Sequence, residues 1–294
     1  MENFLLFLQK KNQELKSKNR TIANFLPIKI YRKKIQSKLL NEYAKNKLVV
    51  DGRQMYADKT DYLKIKVGHQ YGYTAKLMKK FVKKGSTVLD LGANIGYYTC
   101  LAAELVDREG HVYGFEPEPH NFSWLKKNVE INSFTNVTIE QKAITDKNYK
   151  AKLHLSKSNV DHRIYKVKND DRASIEIQVV KLDDYFPNGL KSLSFIKSNI
   201  QGVDLAAMKG MKNILENSTN IVILLEYAPG MMREFDSDSE PIINDLISMQ
   251  FKLFNLGRWH SDYPKLSKKN KIERFRDLPK VQSTALLCIK GNVH

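Results

Sequence analysis

At 294 residues the chain is long enough for one large α/β domain with an appendage, and its hydrophobic content of 42% is that of an ordinary globular protein. No apolar run approaches the roughly 20 residues of a membrane span. Two cysteines inside apolar segments, Cys100 and Cys288, read as small buried hydrophobes in a reducing compartment and exclude a disulfide-stapled fold.

The formal net charge of +17 is concentrated at one end: residues 1–84 carry 21 Lys and Arg against 6 Asp and Glu, whereas residues 85–294 carry 28 against 26. Residues 1–47 form a basic helical lead-in, and residues 48–294 form the main domain. The opening Phe4-Leu5-Leu6-Phe7-Leu8 is too short for a secretory signal core, which needs about 7–15 apolar residues, so a cytoplasmic location is expected. After Pro27, apolar side chains recur at Ile28, Tyr31, Ile35, Leu39 and Tyr43, close to one helix face, with Arg32, Lys33, Lys34 and Lys38 on the other sides. Such a helix packs on the main domain, lies peripherally on an anionic membrane surface, or contacts a phosphate backbone. No basic patch interleaved with aromatics and no zinc finger supports nucleic acid as the partner.

Short alternating runs at Leu48–Val50 and Tyr62–Val67 precede a helix over about Thr74–Lys83, with Gly85 as its left-handed cap. The strand Thr87–Leu91 then runs into the turn Gly92-Ala93-Asn94-Ile95-Gly96 and a helix over Tyr97–Leu105. Twenty-six residues after Asp90, the strand His111–Phe115 ends on Glu116-Pro117. Two successive strands that each end on an acid, with a glycine turn after the first, suit a nucleoside-bearing ligand. The turn lets the backbone approach the ligand, and the second acid can accept both ribose hydroxyls. A dinucleotide fits less well, because Asn94 replaces the middle glycine of that fingerprint and Asp90 would repel a pyrophosphate. A cationic ligand with an amino-acid tail, such as S-adenosylmethionine, is the better match.

Further along come a helix over Pro119–Asn132, a strand over Val137–Ala143 and three inserted strands at Lys152–Leu155, Ile164–Val167 and Ile175–Val180. The strand Leu193–Lys197, the helix Leu205–Asn217, the strand Ile221–Glu226 and the helix Glu240–Met249 follow, then strands at Phe251–Leu256 and Ala285–Ile289. This alternation predicts a Rossmann-like α/β fold, a mostly parallel sheet with helices on both faces. Ligands on such sheets bind beyond the carboxyl ends of the strands, here Asp90, Glu116, Ala143, Asn199 and Glu226.

In its motifs the main domain resembles the FkbM-type S-adenosylmethionine-dependent methyltransferases. The marks are VLDLGANIGYYT (88–99), GFEPEP (114–119), AITD (143–146), DHRIY (161–165), VKLDDYF (180–186), FIKSNIQGVD (195–204) and LLEYAP (224–229). The resemblance implies a seven-stranded class I methyltransferase sheet and O-methylation of a sugar, a glycan or another natural product. It places Asp90, Gly92, Asn94 and Gly96 on the methionine side of the donor pocket, Glu116 on the ribose and Ala143 beside the adenine. Asn94 either bonds the donor carboxylate or is structural. The family pattern has an aspartate where this chain has Asn199, a neutral residue that cannot supply an anion; Thr74 likewise stands where an acid is common.

Methyl transfer is an in-line displacement, and a hydroxyl nucleophile benefits from a general base. His162 is one candidate, since an unperturbed imidazole has a pKa near 6.5; its alternative is pairing within the inserted strands. Glu226, at the end of a strongly apolar strand, is the second, against a structural hydrogen-bonding role. Asp204 is expected to cap the helix that follows it, and Asp183 and Asp184 to organise a turn. His69, His120 and His260 show no metal-ligand spacing, so no metal is expected. Two further functions stay open: a donor-binding partner protein without transfer activity, and a nucleic-acid-associated methyltransferase using the basic lead-in.

Overall fold

The computed structural model describes residues 48–57, 71–166, 171–235, 240–257, 271–278 and 282–293. The basic lead-in over residues 1–47, with its expected helix and membrane contact, lies outside the described residues, as do the run Tyr62–Val67 and the histidines His69 and His260.

Two apolar faces of one sheet organise the domain. Its strands are β3 (Thr87–Leu91), β4 (His111–Phe115), β5 (Val137–Glu140), β9 (Leu193–Ser198), β10 (Ile221–Tyr227), β11 (Lys252–Asn255), β12 (Lys271–Ile272) and β13 (Thr284–Lys290). They are ordered β12-β11-β13-β10-β9-β3-β4-β5. The pairs from β5 to β10 are parallel, and β13 is antiparallel to both β10 and β11. This is the expected seven-stranded methyltransferase sheet with a two-residue eighth strand, β12, at its edge. The central strands are apolar at nearly every position because both faces are covered. In β10 the side chains alternate: Ile221, Ile223 and Leu225 join one core, and Val222 and Leu224 the other.

The first core is closed by α4 (Leu182–Tyr185), α5 (Asp204–Lys209), α6 (Lys212–Asn217), α7 (Pro229–Phe235) and α8 (Glu240–Ser248), through Leu182, Leu205, Met208, Ile214, Met232, Ile243 and Leu246. The second is closed by α1 (Tyr71–Phe81) and α2 (Tyr97–Val106), through Leu77, Met78, Phe81 and Leu101. A further helix, α3 (Pro119–Ile131), follows β4. The hairpin of β1 (Leu48–Val50) and β2 (Arg53–Met55) is tied to α3 by side-chain amides: Asn132 bonds the main chain of Gln54, and Asn128 that of Tyr56. Among the described residues no helix is long and apolar enough to cross a membrane. Cys100 and Cys288 are both free and buried.

Four expected elements differ. The strand Val137–Ala143 stops at Glu140, because its partner β4 ends at Phe115 and Glu116 turns away after donating its N–H to the Glu140 carbonyl at 3.0 Å. Ala143 instead opens β6 (Ala143–Thr145) in a separate sheet, ordered β6-β8-β7, with β7 (Tyr149–His154) and β8 (Ser174–Lys181). The expected strand at Ile164–Val167 reduces to one antiparallel bridge between His154 and Arg163, and Val167 lies outside the described residues. The single helix Leu205–Asn217 breaks at Gly210-Met211: a Cβ on Gly210 would lie 2.0 Å from the Thr145 carbonyl oxygen, and the Gly210 carbonyl accepts the Asp183 N–H. Gly85 is left-handed (φ +73°), but α1 ends at Phe81, so the glycine shapes the entry to β3 rather than capping the helix.

Candidate donor-binding cleft

At the carboxyl ends of β3, β4, β9 and β10 the chain opens into a cleft. The turn after β3 forms its floor. Gly92 is left-handed (φ +76°), and a Cβ there would lie 2.3 Å from the main-chain oxygen of Asn199. The Gly92 and Ala93 N–H groups donate to the Phe115 carbonyl at 3.0 and 2.9 Å, which hangs the turn over the end of β4. Asn94 adopts φ +52°, a conformation asparagine tolerates better than most residues. Gly92→Ala is expected to lower unfolding stability by about 2–4 kcal/mol, through left-handed strain and the clash with Asn199. Urea denaturation measures it, and a loss below about 0.5 kcal/mol would mean that the two turns separate freely.

Glu116 is buried beside this turn. The main-chain N–H of Asn94 donates to its Oε2 at 2.8 Å and that of Glu118 to its Oε1 at 3.0 Å. Burial pushes the carboxyl up to about 7 against the opposing pull of those two N–H groups. Each oxygen keeps a lone pair for a further donor. Glu118 in turn caps α3, accepting the Asn121 N–H at 2.6 Å.

Asp90 does not line the cleft. It is fully buried beneath the turn, where it accepts from the Thr99 hydroxyl at 2.7 Å and pairs with Lys197 at 3.0 Å. Asp90 and Lys197 are register partners on β3 and β9. Lys197 does line the cleft, and it also donates to the carbonyls of Gly92 (2.7 Å) and Leu91 (3.3 Å). The acid therefore reaches the donor turn through the lysine, a residue not singled out from the sequence. Gly96 also lies behind the wall; its lack of a side chain admits Leu125 of α3, whose Cδ1 would be 2.7 Å from a Cβ.

The remaining expected site residues, Gly92, Asn94, Glu116, Ala143, His162, Asn199 and Glu226, converge on the cleft. Ala143, Ile144 and Leu153 supply an apolar wall. The Asn94 side chain donates to the Asn159 carbonyl at 2.9 Å, and so does that of Asn121, so one main-chain oxygen of the β7–β8 segment is held by both elements that flank Glu116. His162 Nδ1 accepts the Ser156 N–H at 3.0 Å. Asn199 Oδ1 accepts from Gln201 Nε2 at 3.0 Å. Asp204, the first residue of α5 rather than its cap, takes the Ser198 hydroxyl at 2.6 Å and holds the turn after β9. Asp183 caps α6 through the N–H groups of Asn213 and Ile214.

The cleft holds a cavity of about 210 Å³ that opens to solvent. Two buried polar atoms of residues that line the cleft, Thr74 Oγ1 and Asn121 Oδ1, have no hydrogen-bond partner among the described residues. The close backbone turn, the buried acid and the apolar wall fit a nucleoside with an amino-acid tail.

A sequence model of the family described as the methyltransferase FkbM domain matches residues 90–253, more than half of the chain. A second, described as protein-L-isoaspartate(D-aspartate) O-methyltransferase, matches residues 30–143. The chain is 31% identical over 75 residues to a protein-L-isoaspartate O-methyltransferase of Ignicoccus hospitalis, covering 26% of this chain and 35% of that protein. It is 33% identical over 69 residues to protein-L-isoaspartate O-methyltransferase 1 of Arabidopsis thaliana, covering 24% and 30%. It thus spans about a third of the length of these curated relatives. Among solved structures, the methyltransferase FkbM of Methylobacillus flagellatus aligns over 70% of this chain and 44% of its own, with a TM-score of 0.42 and 15% identity.

Proposed function

Because the chain belongs to the FkbM methyltransferase family, we propose that it moves a methyl group from S-adenosylmethionine to a hydroxyl oxygen of a sugar, glycan or similar small molecule, in the cytoplasm. The observation that carries this reading is the buried Glu116 carboxyl beside the Gly92 turn, at the strand ends where a nucleoside is expected. Glu116 holds the ribose hydroxyls, the Gly92–Asn94 backbone faces the amino-acid tail, and Ala143, Ile144 and Leu153 pack against the base.

The donor supplies an electrophilic methyl on a sulfonium. The protein's part is to align an acceptor oxygen with that carbon and exclude water. As the oxygen takes the methyl, the carbon–sulfur bonding pair stays on sulfur and the hydroxyl proton passes to Glu226. Glu226 and Glu116 are the carboxylates among the described residues lining the cleft, and Glu116 is assigned to the ribose.

A carboxyl acceptor is the second reading, favoured by the names of the curated relatives. The family match behind it covers residues 30–143, which stop short of His162, Asn199 and Glu226. Incubation with methyl-labelled S-adenosylmethionine and a panel of hydroxylated and carboxylated acceptors separates the two. Label that survives mild alkali is an ether and supports the hydroxyl reading; label released as methanol is an ester and overturns it. Donor binding with no transfer on any acceptor would instead favour a donor-binding partner protein.

A further inference from the structure

We propose that residues 159–165 form a strap between the donor pocket and the far wall of the cleft, and that Asn94 couples the two. Donor binding orders the strap, so the acceptor wall is completed on a loaded pocket. The proposal rests on the donor reading of the cleft for its ligand and on the strap's own geometry for the coupling. Side chains alternate along the strap, as they do in extended chain. Val160, His162 and Ile164 line the cleft, whereas Asp161 and Arg163 do not. Those two are fastened by ion pairs: Asp161 to Arg163 and to Arg172, each at 3.0 Å, and Arg163 to Glu234 of α7 at 3.2 Å.

Each end of the strap is anchored on a different turn. At one end, Asn94 and Asn121 both donate to the Asn159 carbonyl at 2.9 Å. At the other, the Tyr165 hydroxyl donates to the Gln201 carbonyl at 3.1 Å, and its ring lies 5.8 Å from that of Phe235 in α7. Gly202 makes room for this end: a Cβ there would lie 2.9 Å from the Tyr165 hydroxyl and 2.7 Å from the Cβ of Met231. The strap therefore runs from the turn after β3 to the turn after β9, with three side chains facing the cleft on the way.

Asn94 belongs to both halves. Its main-chain N–H donates to Glu116 Oε2 at 2.8 Å, and its side chain holds the strap. Asn121 leads back to the same acid, since its N–H bonds Glu118 and the Glu118 N–H bonds Glu116. A donor with its ribose hydroxyls on Glu116 and its tail against the Gly92–Asn94 backbone restricts Asn94. The side chain then has less freedom left to lose in holding Asn159, so the strap becomes more ordered. The coupling is reciprocal, and an ordered strap holds the donor more tightly. An acceptor packed on Val160 and Ile164 therefore binds best after the donor. Asn94 and Asn121 are positioning residues for that step, because they act through the strap.

Hydrogen exchange of the full chain, read by mass spectrometry with and without saturating S-adenosylhomocysteine, tests the coupling. In the wild type, both the Gly92–Gly96 turn and residues 158–165 are expected to gain about 3- to 10-fold protection on binding. Asn94→Gly keeps the left-handed turn and the N–H on Glu116 but deletes the link to the strap. In that variant the turn should still gain protection, and the strap should gain less than about twofold. Asn121→Ala loosens the strap and leaves the link, so exchange should be faster without ligand and the gain on binding should persist. Protection of the turn alone in the wild type, or an undiminished gain of the strap in Asn94→Gly, would overturn the coupling. Without ligand, both variants should speed exchange of the strap about 2- to 10-fold, and unchanged exchange would overturn the anchoring itself. A wild type that binds no S-adenosylhomocysteine, with neither turn nor strap protected, would overturn the donor reading and the coupling with it.

Discussion

Glu116→Gln is expected to weaken binding of S-adenosylhomocysteine by about 30- to 1000-fold, or roughly 2–4 kcal/mol. Two effects add. The ribose hydroxyls lose a charged acceptor, and one oxygen that now takes a main-chain N–H becomes an NH₂ facing that donor. Calorimetric titration measures the loss. A change within about threefold would remove Glu116 from the ribose site.

The same residue predicts a pH dependence with a definite sign. Its carboxyl is raised from 4.5 to about 7 by burial. Hydroxyl donors favour the ionised form, so donor affinity should rise with pH through about 7 and then level off, with proton release on binding near pH 6.5. The unliganded fold responds oppositely. A folded-state value above the unfolded one means that the native protein binds the extra proton. The stabilisation is therefore complete below about pH 4.5 and is lost as pH rises through about 7, to the extent of roughly 3 kcal/mol. Asp204, raised to about 6 by burial, acts in the same direction. Glu116→Gln should flatten the affinity profile; an unchanged slope would assign the titration to another group.

The second large effect is expected at Lys197. Lys197→Met leaves Asp90 charged and fully buried without its partner, a change that typically costs about 3–5 kcal/mol. It also releases the Gly92 carbonyl from the 2.7 Å bond that steadies the donor turn. Adding Asp90→Asn removes the stranded charge, so the double variant should be more stable than Lys197→Met alone. Equilibrium denaturation of the four proteins closes the cycle. Additive losses would mean that the pair does not interact. Donor affinity should remain low in the double variant, because Asp90→Asn does not restore the bond to Gly92.

Much of this arrangement was legible before the structure. Acids at the ends of two successive strands and the Gly92–Gly96 turn located the cleft, since strand ends on a parallel sheet face one way. Lys197 was missed, although a lysine between Ile196 and Ser198 in an otherwise apolar strand is itself a signal. A cation in a sheet interior needs a partner, and Asp90 lies in an equally apolar strand. The break at Gly210 was not readable, because it depends on contact with Thr145, 65 positions away in the chain. The end of β5 was hidden for a similar reason: Val137–Ala143 is continuously strand-like, and only the length of its neighbour β4 stops it. The roles of Asp90 and His162 depend on which partner each meets, Lys197 for one and a main-chain N–H for the other, and no spacing rule encodes that.

The joint at Asn159 ties the β7–β8 segment to the turn after β3 and to α3 through a main-chain atom rather than a side chain. Asn94 and Asn121 grip a main-chain oxygen, and every residue type carries one. The two bonds themselves therefore do not depend on the identity of residue 159. Under the proposed function, a change of acceptor preference is best sought by grafting within this segment while Asn94 and Asn121 are kept.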